Sequence, residues 1–305
     1  MAGNTIWTIN KLITWTTHYF KDHHIESPRL DAEILLAHVL NKSRIYLYTN
    51  FDLIVNPDEL AMYRGYIKKR IEGYSVAAIT GEKEFMGLTF KLSENTLIPR
   101  QDTEVLVEEA LKLLEQEKVP KEKETVRMLD LCTGSGCILI SILYYAAKEK
   151  IQIQGTGADI SEAALRIAEE NLDLLEKNGN KGMAELLESD LFERVEGRFG
   201  MIASNPPYIR TSVISGLKEE VRLHDPLLAL DGKEDGLFFY RKIIQESPDY
   251  LTDGGYLLFE IGYDQGWAVS SMMKEAGFED VCVKKDLARN DRVVCGHKHL
   301  CEKRG

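Results

Sequence analysis

Met128-Leu129-Asp130-Leu131-Cys132-Thr133-Gly134-Ser135-Gly136-Cys137 is the stretch that decides the fold. Its first four residues read as a buried strand, its middle as a glycine loop, and an apolar helix follows over 136–148. Glycine at 134 and 136 lets the backbone turn tightly into the helix and lets a ligand come close to the main chain. Open α/β sheets bind ligands at the carboxyl ends of their strands, which is where this loop falls. It is not a Walker loop, since no Gly-Lys-Ser/Thr follows, and it lacks the third glycine of a full GxGxxG. Alone it does not choose a ligand, so the flanking sequence has to.

Downstream, the pattern predicts strands over 126–131, 152–158, 184–188, 200–204, 255–261, 279–285 and 292–297. Helices are predicted near 136–148, 161–177, 237–250 and 265–276. Such alternation implies βαβ units and a mostly parallel sheet covered on both faces. Only a few residues join the last two strands, too few for a crossover, so they should pair antiparallel. The expectation is an α/β fold built on a seven-stranded sheet.

Upstream, the first eighty residues read as helices. Apolar residues recur at helical spacing from Thr5 to Phe20; Ser27-Pro28 opens a second helix, and Asn56-Pro57-Asp58-Glu59 a third that runs to Gly73. Ser43 to Phe51 is short and aromatic-rich. From Gly81 the period changes to two, and Gly87 marks a short hairpin before Leu97-Ile98-Pro99-Arg100. Thr103 is expected to cap the next helix. No acid–base pair or glycine loop occurs in the helical part, which either binds something or merely packs.

The strand ends form a series. The second ends Gly157-Ala158-Asp159-Ile160, with Ser161 capping the following helix. Asp159 is placed to accept hydrogen bonds from ribose hydroxyls, or else is a second helix cap. The third ends Glu188-Ser189-Asp190-Leu191-Phe192, a carboxylate beside apolar surface on which an adenine could lie. The fourth ends Ser204-Asn205-Pro206-Pro207-Tyr208. Two prolines stiffen that backbone and hold Asn205 extended, with its carboxamide fixed and Tyr208 as an aromatic wall. This suits gripping a planar NH2 group by both hydrogens; the other reading is a turn after a buried strand.

Composition sets the bounds. With 305 residues the chain has room for one large or two ordinary domains. No run of eighteen apolar residues predicts a membrane span, and the first residues lack the features of a secretory signal. Five cysteines without a CxxC fit reduced thiols in the cytoplasm. Cys295, His297, His299 and Cys301 match no common structural zinc spacing, so no metal is expected. The net charge is -11, all of it beyond residue 84. An acidic catalytic part argues against nucleic acid as the main partner.

These motifs in this order resemble class I S-adenosylmethionine-dependent methyltransferases that act on amide or amino nitrogen. Three further stretches narrow the likeness: Gly81-Glu82-Lys83-Glu84-Phe85 with Leu97-Ile98-Pro99-Arg100; Leu228-Ala229-Leu230-Asp231-Gly232 with Glu234-Asp235-Gly236-Leu237; and Asp286-Leu287-Ala288-Arg289 with Asp291-Arg292-Val293-Val294. Together they resemble the PrmC/HemK family of peptide chain release factor glutamine methyltransferases. The resemblance implies a helical substrate-recognition domain (1–80), a β-hairpin linker (81–100) and a Rossmann-like class I methyltransferase domain (101–305). It further implies that Cys132, Thr133, Gly134, Ser135, Gly136, Asp159, Ile160, Asp190, Leu191 and Asn205 hold S-adenosyl-L-methionine, or its product S-adenosyl-L-homocysteine. The chain departs from the family at Cys132, usually glycine, and at Gln101-Asp102, usually Pro-Glu.

The implied reaction is methyl transfer to the glutamine side chain of the Gly-Gly-Gln motif in class I release factors. Asn205 and the Pro206 carbonyl would accept the two amide hydrogens, Pro207 would stiffen the loop, and Tyr208 would pack on the glutamine stem. No membrane partner or direct nucleic-acid partner is expected. The chief alternative is an adenine amino-nitrogen methyltransferase on DNA or RNA, which would use the same grip after flipping the base out. A non-catalytic nucleoside-binding module and a dehydrogenase are more distant readings; the latter would want a full GxGxxG and a hydride-handling acid.

Overall fold

The computed structural model describes residues 6–176 and 184–300. Thr5, Lys177 and Cys301, named above as a helix start, a helix end and part of the zinc reading, lie outside them. The chain divides into two compact units, Met1–Gly81 with Lys218–His224, and Glu82–Leu217 with Asp225–Gly305.

The first unit is helical: α1 (Ile9–Asp22), α2 (Pro28–Val39), α3 (Arg44–Thr49), α4 (Pro57–Ile71) and α5 (Val76–Thr80). The Asn56 signal is a full capping box, with Asn56 and Glu59 satisfying each other's backbone N–H. Phe20, Leu35, Leu36 and Tyr63 are buried at its centre. Residues 218–224 fold back onto this unit. There Lys218 pairs with Glu26 (2.7 Å), Arg70 with Glu220 (2.7 Å), and His224 stacks on Tyr74 at 3.7 Å.

The second unit opens with the hairpin β1 (Glu82–Phe85) and β2 (Leu88–Lys91). Its two-residue turn, Met86-Gly87, has positive φ at both positions (50° and 68°), the primed turn that suits strand twist. Then follow α6 (Glu104–Glu115), β3 (Val126–Leu131), α7 (Cys137–Lys148), β4 (Ile153–Asp159), α8 (Glu162–Glu176), β5 (Ala184–Glu188) and β6 (Phe199–Ser204). Three short helices, α9 (Thr211–Ile214), α10 (Glu219–His224, in the first unit) and α11 (Leu227–Leu230), lead to α12 (Phe238–Tyr250), β7 (Leu251–Glu260), α13 (Gly266–Glu275), β8 (Phe278–Lys285) and β9 (Asp291–Lys298).

The large sheet has seven strands in the order β5-β4-β3-β6-β7-β9-β8. All pairs from β5 to β7 are parallel, and β9 runs antiparallel to both neighbours, as the short last connection requires. Every residue of β3 is buried or nearly so, because the sheet is covered on both faces. Val126 and Met128 join α6 and α7 in one core, while Leu129 and Leu131 join α12 and α13 in the other. From β3 the chain winds outward to β5, then returns to place β6 on β3's other side. That reversal makes a topological switch point between the ends of β3 and β6, where ligands bind in such sheets.

One expected cap is corrected. Thr103 stands at the N-cap position of α6 but makes no side-chain cap bond: it lies buried in a 3-10 turn (Gln101–Thr103) with helical backbone. Its hydroxyl lies close enough to Glu260 to lower that carboxyl.

Candidate active site

The loop after β3 leaves the strand through Cys132, whose φ of 60° puts it in the left-handed region. Glycine adopts that region without strain, which is a physical reason for the glycine usual at this position in the family that the chain resembles. Thr133 N–H donates to Ala158 O (3.0 Å), and its hydroxyl donates to Asp130 Oδ2 (2.7 Å). Asp130 is fully buried, and burial pushes its carboxyl up to about 7. Ser135 is buried as well, its carbonyl accepting from Asn171 Nδ2 (2.9 Å), while Asn171 also grips both backbone groups of Lys91 in β2. Thr133 and Ser135 therefore turn their side chains inward and offer only backbone to a ligand.

Gly136 has φ 78°, and a Cβ there would meet Ile140 at 2.9 Å and Ala168 at 3.3 Å. Gly134 differs. A Cβ on it would find no heavy atom closer than Cys132 O at 4.0 Å, so the loop is open above this residue. Its N–H donates to Asp159 Oδ2 (2.8 Å), while Asp159 Oδ1 accepts from Ser161 N–H (2.9 Å). Asp159 is thus both the helix-entry acceptor and the clasp of the glycine loop. Burial raises its carboxyl, and the N–H groups of Ser161, Gly134 and Ile160 pull the other way. A carboxylate has about four lone-pair sites, so two backbone bonds leave capacity for hydroxyl donors.

Asp159 O accepts from Ser189 N–H (2.9 Å), which brings the end of β5 alongside. Asp190 there is half-buried. Leu191, at φ 51°, does not offer apolar surface: it is packed in the core with Phe192, on which Tyr250 stacks. The exposed apolar side chain on this part of the edge is Ile160, 50% accessible.

At the switch point Ser204 Oγ donates to Leu131 O (2.8 Å), fixing the end of β6 beside the start of the glycine loop. Pro206 and Pro207 are buried, and Asn205 and Tyr208 are half-buried. Asn205 Nδ2 donates to Glu260 Oε2 (2.9 Å) and Tyr208 OH to Glu260 Oε1 (3.3 Å). Among the described residues neither Asn205 Oδ1 nor the Pro206 carbonyl accepts a hydrogen bond. Gln265 Nε2 holds Tyr208 O (3.1 Å) and Gly236 O (3.1 Å). Gly232 and Gly236 lie so close to the Tyr208 backbone that a Cβ on either would clash with it, at 2.7 and 2.4 Å. The Leu-Ala-Leu-Asp-Gly and Glu-Asp-Gly stretches are the bed on which the Asn-Pro-Pro-Tyr loop rests.

Glu260 was not singled out by the sequence. It is 1% exposed, and burial raises its carboxyl while Thr103, Arg292 and Tyr208 lower it. Its signal was a lone carboxylate closing the apolar run Leu257-Leu258-Phe259. Arg292, also buried, pairs with Asp286 and with Asp102 (3.1 Å each) and donates to Ile261 O. Asp102, one of the two departures, thus supplies a carboxylate to this network.

Residues 11–81 match the PrmC N-terminal domain and residues 106–219 the methyltransferase small domain. The release factor glutamine methyltransferase of Geobacter sulfurreducens is 40% identical over 292 residues, 95% of this chain and 97% of that protein. The chain belongs to the release factor glutamine methyltransferase family. Its counterpart in Agrobacterium fabrum is 41% identical over 88% of this chain and 90% of that protein. The hMettl16 catalytic domain, solved in complex with MAT2A 3'UTR hairpin 6, covers 82% of this chain at a TM-score of 0.54 and 13% identity, and 86% of that chain is covered; this likeness shows the fold alone. Among the described residues no helix is long and apolar enough to cross a membrane, and no cluster of three or more His, Cys, Asp or Glu could hold a metal ion.

Proposed function

We propose that this chain transfers a methyl group from S-adenosyl-L-methionine to the side-chain nitrogen of the glutamine in the Gly-Gly-Gln motif of class I peptide chain release factors, in the cytoplasm. The observation that carries this reading is a pair of unpaired acceptors, Asn205 Oδ1 and Pro206 O, on a stiff loop at the switch point beside an open glycine loop. Family membership at 40% identity supports the substrate.

The open space above Gly134, the carboxylates of Asp159 and Asp190 and the exposed Ile160 fit a nucleoside bearing a charged tail. In this reading the backbone of residues 132–136 lies against the cofactor, Asp159 accepts from the ribose hydroxyls, and Ile160 and Asp190 flank the adenine. Leu191 contributes through the backbone turn that carries Asp190. When bound, S-adenosyl-L-methionine supplies an electrophilic methyl on a sulfonium.

A primary amide is a poor nucleophile because its nitrogen lone pair is delocalised into the carbonyl. Asn205 Oδ1 and Pro206 O accept the two amide hydrogens and so fix the nitrogen's direction. As positive charge develops on that nitrogen, the same acceptors bind more strongly, which stabilises the transition state over the ground state. Pro207 keeps the loop rigid, and the Tyr208 ring packs on the glutamine stem. The product's extra proton leaves to solvent. We assign substrate recognition to residues 1–80, the linker to 81–100 and transfer to 101–305.

The test is to incubate the chain with methyl-labelled S-adenosyl-L-methionine and either a class I release factor or single-stranded and duplex nucleic acid. Label in the factor is expected; label in nucleic acid instead overturns the reading in favour of an adenine amino group.

A further inference from the structure

We propose that Glu260 sets which end of the Asn205 carboxamide faces the substrate, a positioning role that rests on the amide-methylation reading above. A carboxamide has nearly the same shape at its oxygen and nitrogen ends, so packing alone does not choose between two orientations. Chemistry does choose. With Oδ1 outward, Asn205 accepts a substrate amide hydrogen; with the NH2 outward, it sets a donor against a donor and the grip is lost.

Glu260 is placed to decide this. It closes β7, one residue past the Phe259 that pairs with Ser204, and so lies beside Asn205. Oε2 accepts from the carboxamide, so the Asn205 group that faces it is the NH2. Oε2 takes that hydrogen at 2.9 Å, and Oε1 takes the Tyr208 hydroxyl at 3.3 Å. Burial, the largest influence in this 1% exposed site, raises the Glu260 carboxyl, while Thr103 and Arg292 oppose it. Both ends of the Asn-Pro-Pro-Tyr loop are therefore tied to one acceptor. With the carboxyl ionised, the reversed carboxamide would bring its oxygen against Oε2, two acceptors with no proton between them. The strand next door thus determines the polarity of the grip.

Two variants test the role, read against the wild-type chain labelling a release factor. If the wild type labels no release factor, the functional reading itself fails, whatever the variants do. Glu260→Leu removes the acceptor at similar volume. It is expected to lower kcat at least a hundredfold while KM for the factor and the cofactor Kd, measured by calorimetry, stay within threefold. The second variant is the double exchange Glu260→Gln with Asn205→Asp. Here the hydrogen bond runs the other way, from the introduced amide to the introduced carboxylate, whose remaining oxygen faces outward in either orientation. Charge and shape are preserved, so this variant keeps the test open if the leucine variant does not fold. It is expected to turn over within tenfold of wild type. A kcat within threefold of wild type for Glu260→Leu overturns the role, and so does a double exchange no faster than Asn205→Ala.

Discussion

At the residue scale, Cys132 shows what the first loop position demands. At φ 60° a β-branched side chain is a genuine outlier, so Cys132→Val is expected to cost about 2 kcal/mol in urea denaturation. Cys132→Gly relieves strain but loosens the unfolded chain, and should stay within about 1 kcal/mol of wild type. Asp130 gives a pH dependence. Its buried carboxyl is pushed up to about 7 from 3.8, so between those values the folded chain holds a proton that the unfolded chain has lost. Its contribution to stability is complete below the unfolded value and is lost as pH rises through the folded one. Asp130→Asn cannot ionise; relative to wild type it should gain on the order of 3 kcal/mol between about pH 4 and pH 8, measured by denaturation of the cofactor-free protein. A pH-independent difference would contradict this. Asp159→Ala removes the clasp on Gly134 as well as an acceptor for ribose hydroxyls. Calorimetry should show cofactor affinity at least tenfold weaker, and an unchanged Kd would refute both roles.

Elements were legible in proportion to their length and punctuation. The capping box at Asn56 and the positive-φ turn at Met86-Gly87 are local chemistry, readable from a few residues. Helices α3, α5, α9, α10 and α11 were not foreseen, since four to six residues carry too little period to distinguish a helix from a loop. Thr103 misled because a threonine before an apolar run looks like a capping side chain, whereas it makes no cap bond and its hydroxyl lies close to a strand end far along the chain. The return of residues 218–224 to the helical unit was equally hidden. It depends on Arg70, 6% exposed, which pairs with Asp31 at 2.8 Å and Glu220 at 2.7 Å. Removing one partner of a buried pair strands the other's charge. Arg70→Met is therefore expected to cost about 3 kcal/mol in denaturation and to speed hydrogen exchange across 218–224. Unchanged exchange there would mean that the segment is held by the Lys218 and His224 contacts instead.

Across the whole molecule, the order of strand ends carried most of the reading. A parallel sheet puts the carboxyl ends of β3, β4, β5 and β6 on one edge, so motifs scattered over eighty residues meet there by topology alone. That is why a glycine loop, Asp159 and Asn205 could be joined without coordinates. Glu260 could not, because a carboxylate closing an apolar strand says nothing about its neighbour until β7 is set against β6. The same limit applied to Leu191, which reads as apolar surface in sequence but is buried in the core. The central claim is that the two open acceptors at Asn205 and Pro206 direct a methyl group onto one amide nitrogen. Its most direct test is fragment mass spectrometry of a class I release factor after incubation with S-adenosyl-L-methionine and either wild-type chain or Asn205→Ala. The account predicts one added methyl, on the side-chain nitrogen of the Gly-Gly-Gln glutamine, with wild type and none with the variant, whose cofactor binding stays largely intact. A methyl on another residue, or equal methylation by Asn205→Ala, would contradict it.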